Sequence, residues 1–335
     1  MNILVLSDHR GHSNNNSLYG MARAIARRPE VNKAVMADRA NPKNHRFFEG
    51  EPVEKLQVID IDEAFKFDNL REGKLNSRTE DLFSFDAIFL RLAWPINKHF
   101  FQVLPSYFPN RVVVNDPHGI LKTSNKKYLF NFPDFTPPME LCQTWEQLLE
   151  LTKDRDTVLK PLENYGGRGL ARIKNSTVWY EGQNLSLSEF NTVFESVDQG
   201  FLAVPYLKNV GKGDKRIFVA GGKIIFSSLR LPQSGGWLCN IAQGGSSSPA
   251  VANNNERQMI EQITPKLAEE GIFYYGVDTL VNNRGKRVIS EINTLSIGGL
   301  TPNEKDDRTY LANRFAKLFV HYIQSKSSHV ERSDH

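Results

Sequence analysis

The stretch Phe273–Asn293, FYYGVDTLVNNRGKRVISEIN, decides how this chain is read. Two runs, Phe273 to Val281 and Arg287 to Asn293, flank Asn282-Asn283-Arg284-Gly285, a turn-rich sequence that predicts a β-hairpin. Side chains alternate along a strand, so Glu291 and Asn293 share one face. Pairing Val281 with Val288 puts Asp278 opposite Glu291 on that same face. Three oxygen-bearing side chains then converge. Oxygen ligands without nitrogen or sulfur suit magnesium, which keeps phosphate oxygens among its remaining ligands. The same residues also suit a hairpin with a solvated polar face. Against that, Val277, Leu280, Ile289 and Ile292 are apolar and draw part of the hairpin into the core. Two carboxylates there repel each other unless a cation lies between them.

Upstream, Leu159-Lys160-Pro161 ends a predicted strand and leads into Glu163 to Gly169, with Gly166, Gly167, Arg168 and Gly169 in succession. Glycines let backbone N–H groups approach phosphate oxygens, and Lys160 can neutralise a phosphate as a point charge. The loop fits neither G-x-x-x-x-G-K-[ST] nor G-x-G-x-x-G, so a plain hairpin turn remains open. Asn125-Lys126-Lys127 precedes a helix and reads as a solvated end. Gly213-Asp214-Lys215-Arg216 enters a strand, where Arg216 can be a surface charge. Arg230 interrupts the apolar run Leu229-Arg230-Leu231, where an unpaired guanidinium is costly, so it needs a carboxylate or phosphate. Asn240 and Gly244-Gly245 follow, again placing polar groups beside open backbone.

Working outward, 335 residues fit two or three packed subdomains. Apolar (40%) and charged (24%) fractions are those of an ordinary globular protein, and a net charge of +4 makes no electrostatic case for nucleic acid. No stretch approaches the roughly 20 apolar residues of a membrane span. MNILVLSDHR reads as a first strand rather than a signal peptide. Cys142 and Cys239 match no metal spacing and read as reduced packing residues of a cytoplasmic protein.

The strands Ile3–Leu6, 87–90 and 112–114 alternate with a helical pattern at Leu18, Met21, Ala22 and Ile25. They predict an N-terminal parallel α/β domain over 1–120 that binds substrate, with an irregular excursion at about 38–80. A small α+β lid is expected over 121–203. A C-terminal α+β domain carrying the metal motif spans 204–325, with a last helix at about 306–323 and a polar tail at 326–335. The loop Asp8 to Ser17 follows the first strand, where open α/β sheets bind ligands. Arg10 can hold a carboxylate there and Ser17 can cap the next helix; a plain polar loop is the other reading. His9 and His12 lack a third ligand for a metal.

In order and spacing, VNDPHGILKTSNKKYLF, FTPPMEL, VLKPLENYGGRGLARI, GDKRIFVAGGKII, LRLPQSGGWLCNIAQGG and GVDTLV…ISEIN resemble the ATP-grasp superfamily, and within it bacterial glutathione synthetase. The resemblance runs from about Val114 to Asn293. It implies the ATP-grasp fold, with ATP between the second and third subdomains. It implies an ATP-dependent carboxylate–amine ligase working through an acyl phosphate, with γ-glutamylcysteine and glycine as the first pair to consider. Lys127 and Lys160 would contact ATP, and Glu163, Tyr165, Gly166, Gly167, Arg168 and Gly169 would close over its phosphates. Val204, Pro205, Tyr206 and Leu207 would read adenine through the backbone, with Asp214 also in the nucleotide site. Arg216, Arg230 and Asn240 would hold the transferred phosphate. Asp278, Glu291 and Asn293 would hold two magnesium ions, with manganese as a substitute. A homo-oligomer, dimer or tetramer, is expected, with small-molecule acid and amine substrates.

The sequence departs from the family at two places. Thr294-Leu295-Ser296-Ile297-Gly298-Gly299 stands where the family has Ser-Pro-Thr. Arg91-Leu92-Ala93-Trp94-Pro95 stands where it has Arg-Lys-Asp-Pro-Pro. Trp237 also replaces a polar residue. These departures leave open another acid–amine pair, or a nucleotide-binding regulatory module without turnover. A nicotinamide dehydrogenase is a poor reading, because SDHRGHS has one glycine, not three.

Overall fold

The computed structural model describes residues 1–333 except 165, 234, 235, 240–244, 296 and 298–304, with side chains for all of these but 305–307 and 328–333. Three sheets organise it. The first has six strands, in spatial order Ser77–Asp81, Lys55–Asp60, Lys33–Asp38, Asn2–Ser7, Ala87–Arg91 and Val112–Val114. Its last four strands pair in parallel, as the alternation of strands and helices predicts.

The 38–80 segment is not an irregular excursion. It supplies two further strands, Lys55–Asp60 and Ser77–Asp81, paired antiparallel at the sheet edge. Leu56 and Val58 are buried, while Lys55, Gln57 and Ile59 between and beside them are not. Only one face of an edge strand meets the core, so the composition looks polar although the alternation is that of a strand.

The second sheet forms the lid, with Gln183–Ser186, Thr177–Tyr180, Ala171–Lys174, Thr157–Pro161, Phe201–Pro205 and Glu140–Cys142 in spatial order. It has its own apolar core, built from Leu148, Leu159, Ile173, Phe190, Phe194 and Phe201. The third sheet has five antiparallel strands: Ser246–Pro249, Lys223–Leu231, Asp214–Ala220, Tyr274–Val281 and Arg287–Asn293. The helix Asn254–Glu269 buries Met259, Ile260, Ile263 and Leu267 beside it, on the stripe the 3.6-residue period predicts. The last helix, Lys305–Ser333, continues past Ile323 through most of the segment read as a polar tail. Among the described residues no helix is long and apolar enough to cross a membrane.

The first and third sheets share one core. Phe89 of the first meets Tyr274 of the third, and Phe315 and Phe319 of the last helix pack on them with ring centroids 4.9 to 5.7 Å from Phe89. The buried Asn115 side chain adds a polar joint. Its amide donates to the carbonyls of Tyr274 and Thr294, and its oxygen accepts from the amides of Phe273 and Tyr274.

Nearby, Gly119 of the helix Pro117–Thr123 touches the chain leaving the 254–269 helix. A Cβ built at Gly119 would lie 1.8 Å from the Glu270 carbonyl oxygen. Backbone cannot yield as a flexible side chain can. Gly119→Ala is therefore expected to lose about 2 kcal/mol or more of stability by overpacking, read as a lowered urea midpoint. An unchanged midpoint means the two segments do not meet this closely.

Candidate functional site: a cleft between lid and third sheet

A cleft with about 910 Å³ of empty space, open solvent at its mouth included, separates the lid sheet from the third sheet. Val158, Val204, Pro205, Tyr206 and Leu207 line the lid side; Leu280, Ile289, Ser290, Glu291 and Asp278 line the other. One half of the cleft is thus an apolar slot and the other is charged.

The hairpin builds the charged half. Asp278 pairs with Glu291, as expected, but Val281 pairs with Arg287 rather than Val288. A bulge at Ser290 reconciles the two registers. It frees the Ser290 carbonyl and hydroxyl, and both accept from Lys160 Nζ, at 3.0 and 2.9 Å. The bulge cannot be read from the pleat period alone, since an unbulged pairing of Val281 with Val288 also puts Asp278 opposite Glu291.

Asp278 is 2% exposed. Arg216 grips it bidentately, Nε to Oδ1 at 2.7 Å and Nη2 to Oδ2 at 2.6 Å. Arg230 Nη2 lies 3.0 Å from Asp278 Oδ2 and 2.6 Å from Asp214 Oδ2. The Asn293 amide donates to Asp278 at 3.3 Å. Burial alone would raise the Asp278 pKa; Arg216 and Arg230 outweigh it and hold the carboxyl well below the usual range. Asp214 goes the other way, pushed up to about 6 by burial and by the charge of Asp278. Its Oδ1 and the Nε of Arg230 are buried with no hydrogen-bond partner.

Asp278, Glu291 and Asn293 offer only oxygen donors on one side of the cleft, and Asp214 adds an orphaned carboxylate oxygen. That donor chemistry fits magnesium. Among the described residues no cluster of three or more His, Cys, Asp and Glu side chains has metal-binding geometry, so the asparagine is needed to complete the set.

The glycine loop sits over the charged half. Gly166, Gly167 and Gly169 have φ of +70°, +78° and +69°. A Cβ at Gly169 would also lie 2.9 Å from Pro161 Cγ, so only glycine fits that turn. Gly167 and Arg168 line the cleft.

Other expected residues lie elsewhere. Lys127 is exposed and absent from the cleft lining, whereas its neighbour Lys126 is buried in it, 3.6 Å from Glu291 and donating to the Asn164 carbonyl. Lys126, Leu129 and Phe132 are all buried, a spacing of three that fits the 3₁₀ turn Lys126–Asn131. That spacing was the available signal for choosing Lys126. Glu163 turns away from the cleft to Lys98 of the first domain at 2.9 Å and to Gln199 at 3.0 Å. Tyr165 and Asn240 lie outside the described residues.

Sequence reasoning also missed the support behind Tyr206. The Arg172 guanidinium sits 3.4 Å from the Tyr206 ring centroid, held bidentately by Asp156. Trp237 meets Tyr206 edge-on from across the cleft, with centroids 6.5 Å apart.

Solved structures with the same architecture include a D-cycloserine synthetase. It is 13% identical, has a TM-score of 0.66, and is matched over 96% of this chain and 99% of that one. The D-alanine–D-alanine ligase from Coxiella burnetii is 12% identical, has a TM-score of 0.60, and is matched over 100% and 99%. A glutathione synthetase of Brucella melitensis is 29% identical over 269 residues, 78% of this chain and 80% of the relative. Residues 125–307 match the family described as prokaryotic glutathione synthetase, ATP-grasp domain. Fold and relatives define an ATP-dependent ligase with the ATP-grasp architecture. More narrowly, the chain belongs to the prokaryotic glutathione synthetase ATP-grasp family.

Lys160 offers a direct check on the cleft's electrostatics. Part of its surface faces the cleft, yet its ammonium is enclosed. Burial lowers its pKa from the ordinary 10.5 to about 8, against the pull of Glu291. Between those values the unfolded chain holds the proton and the folded chain does not, so stability rises with pH through that window; below it the burden of the charge is complete. In nucleotide-free protein, Lys160→Met should therefore be most stable relative to wild type at pH 7 and lose that advantage toward pH 10, by urea unfolding. A flat difference overturns the assignment.

Proposed function

We propose that this ligase joins a carboxylate to an amine through an acyl phosphate, with γ-glutamylcysteine and glycine as its first candidate pair. The observation that carries the reading is the convergence of Asp278, Glu291, Arg216, Arg230, Lys126 and Lys160 on the charged half of one cleft whose other half is an apolar slot. An adenine ring suits the slot and a polyphosphate suits the charges.

In the first step an oxygen of the substrate carboxylate attacks the γ-phosphorus of ATP and ADP leaves. In the second the amine nitrogen attacks the acyl carbon, the C–O bond to phosphate breaks, and an amide forms as the amine proton is lost. Such transfers need positioning and charge neutralisation more than covalent protein chemistry. Lys126 and Lys160 would hold phosphate oxygens, and the loop around Gly167 would offer backbone N–H groups. Arg216 and Arg230 would stabilise the charge that develops on the transferred phosphate and on the oxyanion of the second step. Asp278, Glu291 and Asn293 would hold magnesium, one ion or two, which neutralises phosphate charge when bound. Closing the lid excludes water from a hydrolysable acyl phosphate. A cytoplasmic location is the reading that goes with this function.

The departures at Arg91–Pro95 and after Asn293 favour a second reading, the same chemistry on a different acid–amine pair.

The test is phosphate release and amide product with ATP, magnesium, γ-glutamylcysteine and glycine. Wild type should turn over. Glu291→Gln should lower kcat by about 100-fold or more, the scale on which one charge-stabilising group acts. Turnover only with another pair removes the substrate assignment and leaves the ligase. Undiminished product from Glu291→Gln removes the metal role.

A further inference from the structure

One face of the lid sheet carries a row of side chains that runs outward from the cleft. Val204 pairs with Val158, Val158 with Arg172, and Arg172 with Trp179. Residues directly opposite each other in an antiparallel ladder share a face. Val158 and Val204 line the apolar slot, so Arg172 and Trp179 continue the same surface beyond it. Asp156 and Tyr206 stand one residue outside the strands Thr157–Pro161 and Phe201–Pro205. They extend the ladder by one bond, the Tyr206 amide donating to the Asp156 carbonyl at 2.7 Å. Alternation along each strand puts both side chains on that face as well.

The Arg172 guanidinium is held from three sides. Asp156 accepts from its Nε and Nη2, at 2.8 and 2.7 Å. Its central carbon lies 3.4 Å from the centroid of the Tyr206 ring and 5.2 Å from that of Trp179. The first distance is direct stacking, and the bidentate ion pair fixes the plane of the cation as well as its position. The Arg172 and Asp156 side chains are only 18% and 22% exposed. An ordinary surface ion pair turns its charges to water and contributes little. Here the cation is pressed against a ring that lines the slot.

Asp156 therefore acts on Tyr206 twice. Its carbonyl fixes the Tyr206 backbone, and its carboxylate fixes the guanidinium that covers the Tyr206 ring. Trp237 meets the same ring edge-on. The ring cannot leave its place without breaking the stack. Neither Asp156 nor Arg172 is part of the cleft lining, so their effect on a ligand there passes through Tyr206.

We propose that Asp156 and Arg172 are positioning residues for the base of a bound nucleotide, holding Tyr206 as a preformed wall of the slot. This rests on the nucleotide reading of the cleft. A wall already in place lowers the ordering cost of binding, so losing the clamp weakens the base end. The phosphate end, built from Lys126, Lys160 and the glycine loop, is untouched.

The test is a double-mutant cycle in the full-length chain, read as affinity for magnesium–ADP by calorimetry, without turnover. Arg172→Met keeps the length of the side chain and removes its charge and its fork. It should weaken ADP about 10-fold, the scale of one partly desolvated cation–π contact. Affinity for inorganic tripolyphosphate, which has no base, should stay as in wild type. In a Tyr206→Leu background the same change should alter ADP affinity by less than about 2-fold, because the ring through which it acts is gone. Should Arg172→Met fail to fold, Asp156→Asn carries the test. It keeps the backbone carbonyl, loosens the fork, and should weaken ADP while sparing tripolyphosphate. Undiminished ADP affinity in a folded variant overturns the proposal alone. So does an equal loss for tripolyphosphate, or the full loss repeated in the Tyr206→Leu background. A wild type that binds no ADP removes the nucleotide reading and the proposal together.

Discussion

Asp278 keeps a negative charge with almost no solvent, and the charged end of the cleft is arranged around that constraint. Burial would neutralise the carboxyl; two guanidiniums prevent it. Those guanidiniums come from neighbouring strands. Arg216 pairs directly with Asp278 across the sheet, and Asp214, two residues along on the same face, pairs with Arg230. The alternation of the strands thus delivers two cations and two anions to one face. The match is incomplete, since Asp214 Oδ1 and Arg230 Nε find no partner. A cation near Asp278 and Asp214 would compete with the arginines for the same oxygens. Each guanidinium displaced would then be free for a phosphate. The cluster is therefore balanced without ligands, yet able to exchange partners when charge arrives.

The lid meets this cluster through Lys160. Its sheet has an apolar core of its own on one face, while Val158, Leu202 and Val204 pack into the main core. Lys160 bonds across the gap to the bulged Ser290. A second tie, from Lys98 to Glu163, runs from the first domain to the segment before the glycine loop. Both ties are polar and border the cleft.

Legibility followed the physics of each region. The hairpin was readable from its Asn282–Gly285 turn between two apolar runs, and the Asn254–Glu269 helix from apolar residues that keep one helical period. The Lys55–Asp60 strand was missed because it buries only every second residue, and the edge strand Ser77–Asp81, SRTED, was missed because it carries no apolar residue. Lys126 lines the cleft and Lys127 does not; the segment is a 3₁₀ turn, so no α-helical period distinguishes the two lysines in the sequence. The stacking of Arg172 on Tyr206 joins residues far apart in the chain, and no local pattern announces such a pair.

The same reasoning explains why residues expected to hold a nucleotide are easier to propose from sequence than residues expected to hold the other substrates. Phosphates demand cations, oxygen-ligated metal and open glycine backbone, and few residue types supply them. Those demands leave marks that survive without knowledge of the fold. A substrate's outline leaves no comparable mark. At 91–95 the family's lysine and aspartate give way to Leu92, which is buried, and Ala93, followed by Trp94, which is 38% exposed beside Arg10 and Arg39. Only the arginine at the head of that segment persists. On sequence alone it is one charge among many. Its burial, at 2% exposed, is a property of the folded chain.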